Sequence, residues 1–194
     1  MPGIALFALH LLFVFQFSFI LYSCEVNPYL LLEKRELETG LVYDSLFLGV
    51  KFKMTSKEFY AHCWDLNKKE LITQGPSNNS VRFILQSKSN DGKIEMLFYP
   101  VFNKDSIYEV NSTFSYIGWA PWNKNLFSNF LIEEVKEIME DWYGSNFITI
   151  KNSKNDKMLY ATVNGNRRIA ITIVDDSKVR VRFTNLLVEK TITE

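Results

Sequence analysis

Residues 129–144 read NFLIEEVKEIMEDWYG. Leu131, Val135, Ile138, Met139 and Trp142 recur at helical spacing and fall on one stripe, while Glu133, Glu134, Lys136, Glu137, Glu140 and Asp141 fill the other side. The pattern predicts an amphipathic helix lying on a core with its acidic side in water. Gly144, just past the last periodic residue, suits the left-handed closure of a helix, and Phe147 to Ile150 then reads as a strand. What decides the fold is that the same order occurs earlier in the chain.

In that earlier copy Leu46 to Phe52 reads as a first strand, and Thr55-Ser-Lys-Glu58 has capping-box spacing. The Thr55 hydroxyl accepts from the Glu58 backbone while the Glu58 carboxylate reaches back. The helix opened there is expected to turn Phe59, Tyr60, Cys63, Trp64 and Leu66 to a core, and Lys57, Asp65, Lys68 and Lys69 to water. It stops before Gly75-Pro76. Alternating stretches follow at Ser80 to Gln86, Lys93 to Val101 and Ser106 to Ile117, with Asn90-Asp-Gly92 as the first turn. Beyond the second helix, Lys157 to Val163, Arg168 to Val174 and Lys178 to Leu186 repeat the meander through turns at Asn164-Gly165 and Asp175-Asp-Ser177. In the last strand Val179, Val181 and Phe183 alternate with Arg180, Arg182 and Thr184, so one sheet face is dry and the other wet.

The expected fold is α+β, a two-layer sandwich with two helices on one face of an antiparallel sheet, built from a duplicated helix plus three-to-four-strand unit. Residues 45–187 form that domain, with halves at about 45–117 and 123–187, and 188–194 are left as a tail. The chain's 194 residues, 47% hydrophobic and 23% charged, suit one such domain. Lys plus Arg and Asp plus Glu number 22 each, so the surface lacks the long-range field that draws a protein to nucleic acid. Two cysteines and two histidines exclude a disulfide scaffold and leave no evident metal ligand set; no cofactor is expected.

Ile4 to Tyr22, IALFALHLLFVFQFSFILY, is an uncharged apolar run ending at Ser23-Cys24. It fits a lipoprotein signal with Cys24 as the lipidated residue, since Leu21-Tyr-Ser-Cys24 resembles a lipobox. A cleaved secretory signal and an uncleaved membrane anchor also fit. All three readings make residues 1–24 a targeting segment, residues 25–44 a tether, and the folded part extracytoplasmic, in the envelope or secreted.

Three clusters hold residue types capable of chemistry. His62, Cys63 and Asp65 invite a thiol and base reading, but neighbours on a helix point about 100° apart, and Cys63 shares the apolar stripe of Phe59. The acidic residues of the 129–144 helix read as a solvated face. Arg167, Arg168, Arg180 and Arg182 are expected to cluster near Arg82 on the exposed sheet face. No phosphate loop, dinucleotide fingerprint, G-x-S-x-G or H-E-x-x-H occurs. Tyr116-Ile-Gly-Trp-Ala-Pro-Trp122 places Trp119, Pro121 and Trp122 in a connector, where they either plug one end of the sandwich or present a contact site. Asn78-Asn-Ser80 and Asn111-Ser-Thr113 are glycosylation sequons, meaningful only in a eukaryotic secretory pathway.

At Gly49-Val-Lys-Phe52 with Thr55-Ser-Lys-Glu-Phe59, and again at Trp142-Tyr-Gly144 with a strand behind it, the chain resembles uncharacterised small envelope lipoproteins of the β-lactamase-inhibitor-like fold group. That resemblance spans most of residues 45–187 and implies binding or assembly roles, with no catalytic residue to carry over. Cys63 lacks the nearby second cysteine of the group's disulfide-containing members. The reading that follows is a non-enzymatic envelope protein that binds a protein or envelope component through Trp119, Pro121 and Trp122 or through Arg180 and Arg182. The alternatives are a hydrolase or ligand-binding enzyme using a cleft between helices and sheet, and an inhibitor or immunity protein.

Overall fold

The computed structural model describes residues 27–76, 79–144, 146–151 and 158–193. The apolar run, Cys24 and Asn78 lie outside the described residues. Among the described residues four α-helices, α1 (Pro28–Glu38), α2 (Ser56–Lys68), α3 (Ser128–Tyr143) and α4 (Leu186–Thr193), accompany eight strands. The strands are β1 (Thr73–Gln74), β2 (Val81–Gln86), β3 (Lys93–Asn103), β4 (Ser106–Tyr116), β5 (Ile148–Lys151), β6 (Met158–Asn164), β7 (Arg167–Asp175) and β8 (Lys178–Asn185). They make one open antiparallel sheet in the order β1-β2-β3-β4-β8-β7-β6-β5. Each meander of four follows its own helix, and the two meet where β4 pairs with β8. The sheet is therefore the expected duplicated α+β arrangement, with four strands in each half.

Strand parity builds the core. Ile94, Met96 and Phe98 of β3, Val110 and Phe114 of β4, Val179, Val181 and Phe183 of β8, and Ile169 and Ile171 of β7 are all buried on one face. Helix α3 lies across β4, β7 and β8 and buries Leu131, Ile132, Val135, Ile138 and Met139 against them. Leu131, Val135, Ile138 and Met139 are the stripe the sequence spacing predicts, widened by Ile132, whereas Trp142 in the last turn stays 36% exposed.

Helix α2 begins with the expected capping box: Thr55 Oγ1 accepts from Glu58 N at 3.3 Å and Glu58 Oε2 accepts from Thr55 N at 2.8 Å. Its apolar stripe is less buried than its spacing predicts. Phe59 and Leu66 reach the core, whereas Tyr60 and Trp64 stay 53% and 62% exposed. The reason lies in the sheet. Strand β2 stops pairing with β3 at Phe98, so α2 lies by the free end of β3, with Phe59 against Phe102 and Tyr99. Only one edge of the helix faces inward there.

Leu46 to Phe52 is not the strand its apolar content suggests. Leu48 and Gly49 have φ of 52° and 79°, and Leu46 N and Val50 N donate to Val50 O and Phe47 O, each at 2.9 Å. The reversal lets Phe47, Val50 and Phe52 all enter the core, which a strand with period two cannot do. His62 Nε2 bonds Leu48 O at 2.7 Å and fixes the turn onto α2.

The segment read as a tether carries α1, docked on the sheet face opposite α3. Leu32 packs with Val163 of β6 and Leu186 of α4, joined by Tyr29, Leu37 and Ile148. The residues read as a tail continue α4 to Thr193. Arg168 pairs with Glu189 of α4, and Lys190 pairs with Glu33 of α1 at 3.1 Å. The face expected to be wet is thus covered over β6 and its neighbours and open over β3, β4 and β8.

Gly165 in the β6–β7 turn marks where this layer docks. Its φ is +54°, and a Cβ there would sit 2.3 Å from Leu41 O. Gly40 also has positive φ, +68°, but open space around it. Gly165→Ala is expected to lose about 3 kcal/mol or more, because strain adds to a backbone clash, and Gly40→Ala about 1–2 kcal/mol from strain alone. Urea unfolding of both variants checks this, and equal losses would count against tight docking at Leu41.

Candidate functional site

The open strip is defined by register. Arg180 of β8 lies between Thr113 of β4 and Thr172 of β7, and Arg182 lies between Asn111 and Ala170. All four neighbours are small or short, so the two guanidinium groups rise above a low floor. On the β3 side Leu97 and Tyr99 continue the same rows, and Tyr99 and Tyr60 share a hydroxyl hydrogen bond of 2.5 Å. A hollow of about 410 Å³ lies here, lined by Leu97, Tyr99, Asn111, Thr113, Lys178 and Arg180. Tyr99 also borders a second hollow of about 390 Å³ beside α2, with Phe59, Tyr60, Cys63, Trp64 and Val81.

The five sheet arginines do not form the single cluster that sequence alone suggests. Arg167 and Arg168 are consecutive, so pleating sends them to opposite faces. Arg167 is buried on the α3 side, donating to Ser45 O at 2.7 Å and lying 4.5 Å from the Tyr143 ring. Arg168 is engaged by Glu189, and Arg82 by Glu95 at 2.5 Å. Arg180 and Arg182 remain, exposed and without an ion pair among the described residues. Asn111, half-buried in mid-strand, donates from Nδ2 to Glu109 Oε1 at 2.9 Å.

The Trp119 to Trp122 connector divides its two readings between its two indoles. Trp119 is partly buried with its ring 5.8 Å from Phe127, whereas Trp122 is 84% exposed beside the exposed Pro121. Among the described residues no hydrogen bond, ion pair or ring contact links Trp122 to Arg180 or Arg182.

His62 and Cys63 do not meet. The His62 ring is occupied by Leu48 O, Asp65 pairs with Lys68 at 3.7 Å, and burial pushes the Cys63 thiol up to about 11. A thiol so raised is protonated and weakly nucleophilic near neutrality. Among the described residues no group of three His, Cys, Asp or Glu side chains is placed to hold a metal ion.

One polar residue of α3, expected on the solvated side, lies in the interior. Glu134 is only 4% exposed. Ser87 Oγ, Ser89 Oγ and Tyr116 OH donate to its carboxylate at 3.1, 2.6 and 2.7 Å, together with the backbone N–H groups of Lys88 and Ser89. Burial alone would raise its pKa, but these donors outweigh burial and hold the carboxyl below its ordinary value. The spacing carries a signal of this, since Glu134 stands three residues after Leu131 and four before Ile138, at the border of the stripe. Its role is to tie the β2–β3 turn to α3.

The chain matches no protein-family model and no curated protein. Among solved structures it is similar to a DUF4309 family protein, YjgB, from Bacillus subtilis subsp. subtilis str. 168, at 14% identity and a TM-score of 0.31. The match covers 79% of this chain and 93% of the other.

Two outcomes follow from these geometries. Because the folded pKa of Glu134 lies below the unfolded value of about 4.5, its stabilisation is complete above that value and is lost as pH falls through the folded pKa. Glu134→Gln is therefore expected to lower stability by about 2–3 kcal/mol at pH 7 and by much less near pH 3, as thermal melts against pH will show. For Cys63, a rise from 9.0 to about 11 cuts the thiolate at pH 8 about 100-fold. Higher intrinsic nucleophilicity restores part of this, so alkylation of Cys63 in the folded protein should run about tenfold slower than in urea. Equal rates, followed by mass spectrometry, would contradict the buried thiol.

Proposed function

We propose that the protein is a non-enzymatic binding module of the cell envelope or exterior, and that its contact surface is the open strip of β3, β4 and β8. The observation that carries this reading is the pair Arg180 and Arg182, exposed on the two halves' shared seam with no carboxylate partner among the described residues, beside the hydroxyl-paired Tyr99 and Tyr60. Arginine and tyrosine on a rigid floor are the residue types on which binding surfaces concentrate their energy. A central β8 strand, paired on both sides, supplies that rigidity. Inhibition of a secreted enzyme, or immunity to one, is a special case of the same reading. The hydrolase reading has less behind it, since Cys63 is held protonated and His62 is occupied by a backbone carbonyl.

Envelope placement is part of the proposal. It rests on the uncharged run from Ile4 to Tyr22 and on Cys24 behind Leu21, in keeping with the resemblance to small envelope lipoproteins. Intact mass of the protein from its own cells' membrane fraction, compared with Cys24→Ser, tests it. A chain starting at Cys24 with acyl groups, lost in the variant, is the expected result. An unmodified full-length mass would sink the lipoprotein.

The surface itself is tested by placing a photo-crosslinking amino acid at Thr113 on the strip, at Trp122 on the connector and at Glu137 on the exposed side of α3. A discrete adduct from Thr113 alone, lost when Arg180 and Arg182 are changed to Gln, is expected. An adduct from Trp122 and none from Thr113 would move the contact site to the connector.

A further inference from the structure

Resting on that reading of the strip, we infer that its partner is an extended acidic protein segment carrying carboxylates on alternate residues, laid along β8. The chain has six arginines. Arg35 and Arg82 pair with Glu36 and Glu95, Arg168 pairs with Glu189, and Arg167 is buried on Ser45 O and the Tyr143 ring. Among the described residues, Arg180 and Arg182 are the arginines with no ion pair or hydrogen-bond partner. Both stand on one strand, two residues apart, so their Cα atoms are about 6.6–6.8 Å apart and point the same way. An extended peptide repeats its own side chains on one face at the same interval. Carboxylates at positions i and i+2 of such a segment therefore match the two guanidinium forks, each of which can bond a carboxylate through two parallel N–H donors.

The floor favours a backbone rather than a bulky group. Thr113 and Asn111 on one side of β8, and Thr172 and Ala170 on the other, leave a low trough on either side of the arginine pair. The acids of this region are already engaged. Glu109 accepts from Asn111 Nδ2 at 2.9 Å and from Thr184 Oγ1 at 3.3 Å, and Asp175 accepts from Ser177 N and Oγ, each at 2.8 Å. Lys178 adds a third cation near the end of the strip, beside Asp175. The donors to Glu109 and Asp175 are neutral and leave both carboxylates charged, so Arg180, Arg182 and Lys178 against Glu109 and Asp175 give the strip a local excess of one positive charge, on a molecule whose formal net charge is zero.

The test uses the full chain and two acetylated, amidated peptides of identical composition, Thr-Thr-Glu-Thr-Glu-Thr-Thr and Thr-Thr-Glu-Glu-Thr-Thr-Thr, with inorganic phosphate as a third probe. Arginine side-chain Nε–H signals are followed by nitrogen-15 NMR during titration. Expected are shifts of Arg180 and Arg182 but not Arg35, with the alternating peptide binding at least about threefold tighter than the adjacent one. Each of Arg180→Gln and Arg182→Gln should weaken it about three- to tenfold. Both side chains are exposed, and circular dichroism verifies that the variants fold. Equal affinity for the two peptides, equal shifts with phosphate, or no shifts at all would each overturn the inference. A Thr113 crosslink that survives such a result would keep the strip as the binding surface with a partner of other chemistry, whereas loss of both would remove the surface as well.

Discussion

Six residue pairs between β4 and β8, from Glu109↔Thr184 to Phe114↔Val179, join two meanders whose inner edges would otherwise be bare. A four-stranded sheet with one helix exposes unpaired N–H and C=O groups on both sides, and edges of that kind recruit other chains. Pairing the two inner edges removes that exposure and lets Val110, Phe114, Val179, Val181 and Phe183 form one continuous floor beneath α3. The outer edges are short, with β1 two residues and β5 four. Everything else, from the burial of α3 to the flat strip on the opposite face, depends on that shared floor.

Much of this architecture was legible because it follows from local chemistry. The stripe from Leu131 to Trp142, the Thr55 and Glu58 box, and the alternation of Val179 with Arg180 each encode their element within a few residues. What escaped was set by distant parts of the chain. Leu46 to Phe52 has strand composition but reverses at Leu48 and Gly49, because the space above Phe98 and Phe183 accepts the Phe47 ring. Tyr60 and Trp64 have core composition and remain in contact with solvent, because β2 ends before it can cover them.

The strip was half visible for the same reason. Parity along β8 places Arg180 and Arg182 together, and the sequence states that parity directly. That they hold no ion pair while Arg82 and Arg168 do depends on which carboxylates arrive beside the latter two, and those come from β3 and α4, 13 and 21 residues away. Spacing within one element cannot reveal that. Nor can it reveal that α1 and α4 cover the same face further along, which narrows a broad wet surface to a strip.

The buried carboxylate of Glu134 has a consequence for how the molecule comes apart. It belongs to the second repeat, and all its donors, Ser87, Lys88, Ser89 and Tyr116, belong to the first. Opening either repeat alone would break all five of these hydrogen bonds at once, so the low-energy fluctuations that usually separate duplicated units are suppressed. Amide exchange in β2–β4 and β6–β8 should then proceed through a shared opening, and the duplication behaves as one cooperative unit rather than two modules in tandem.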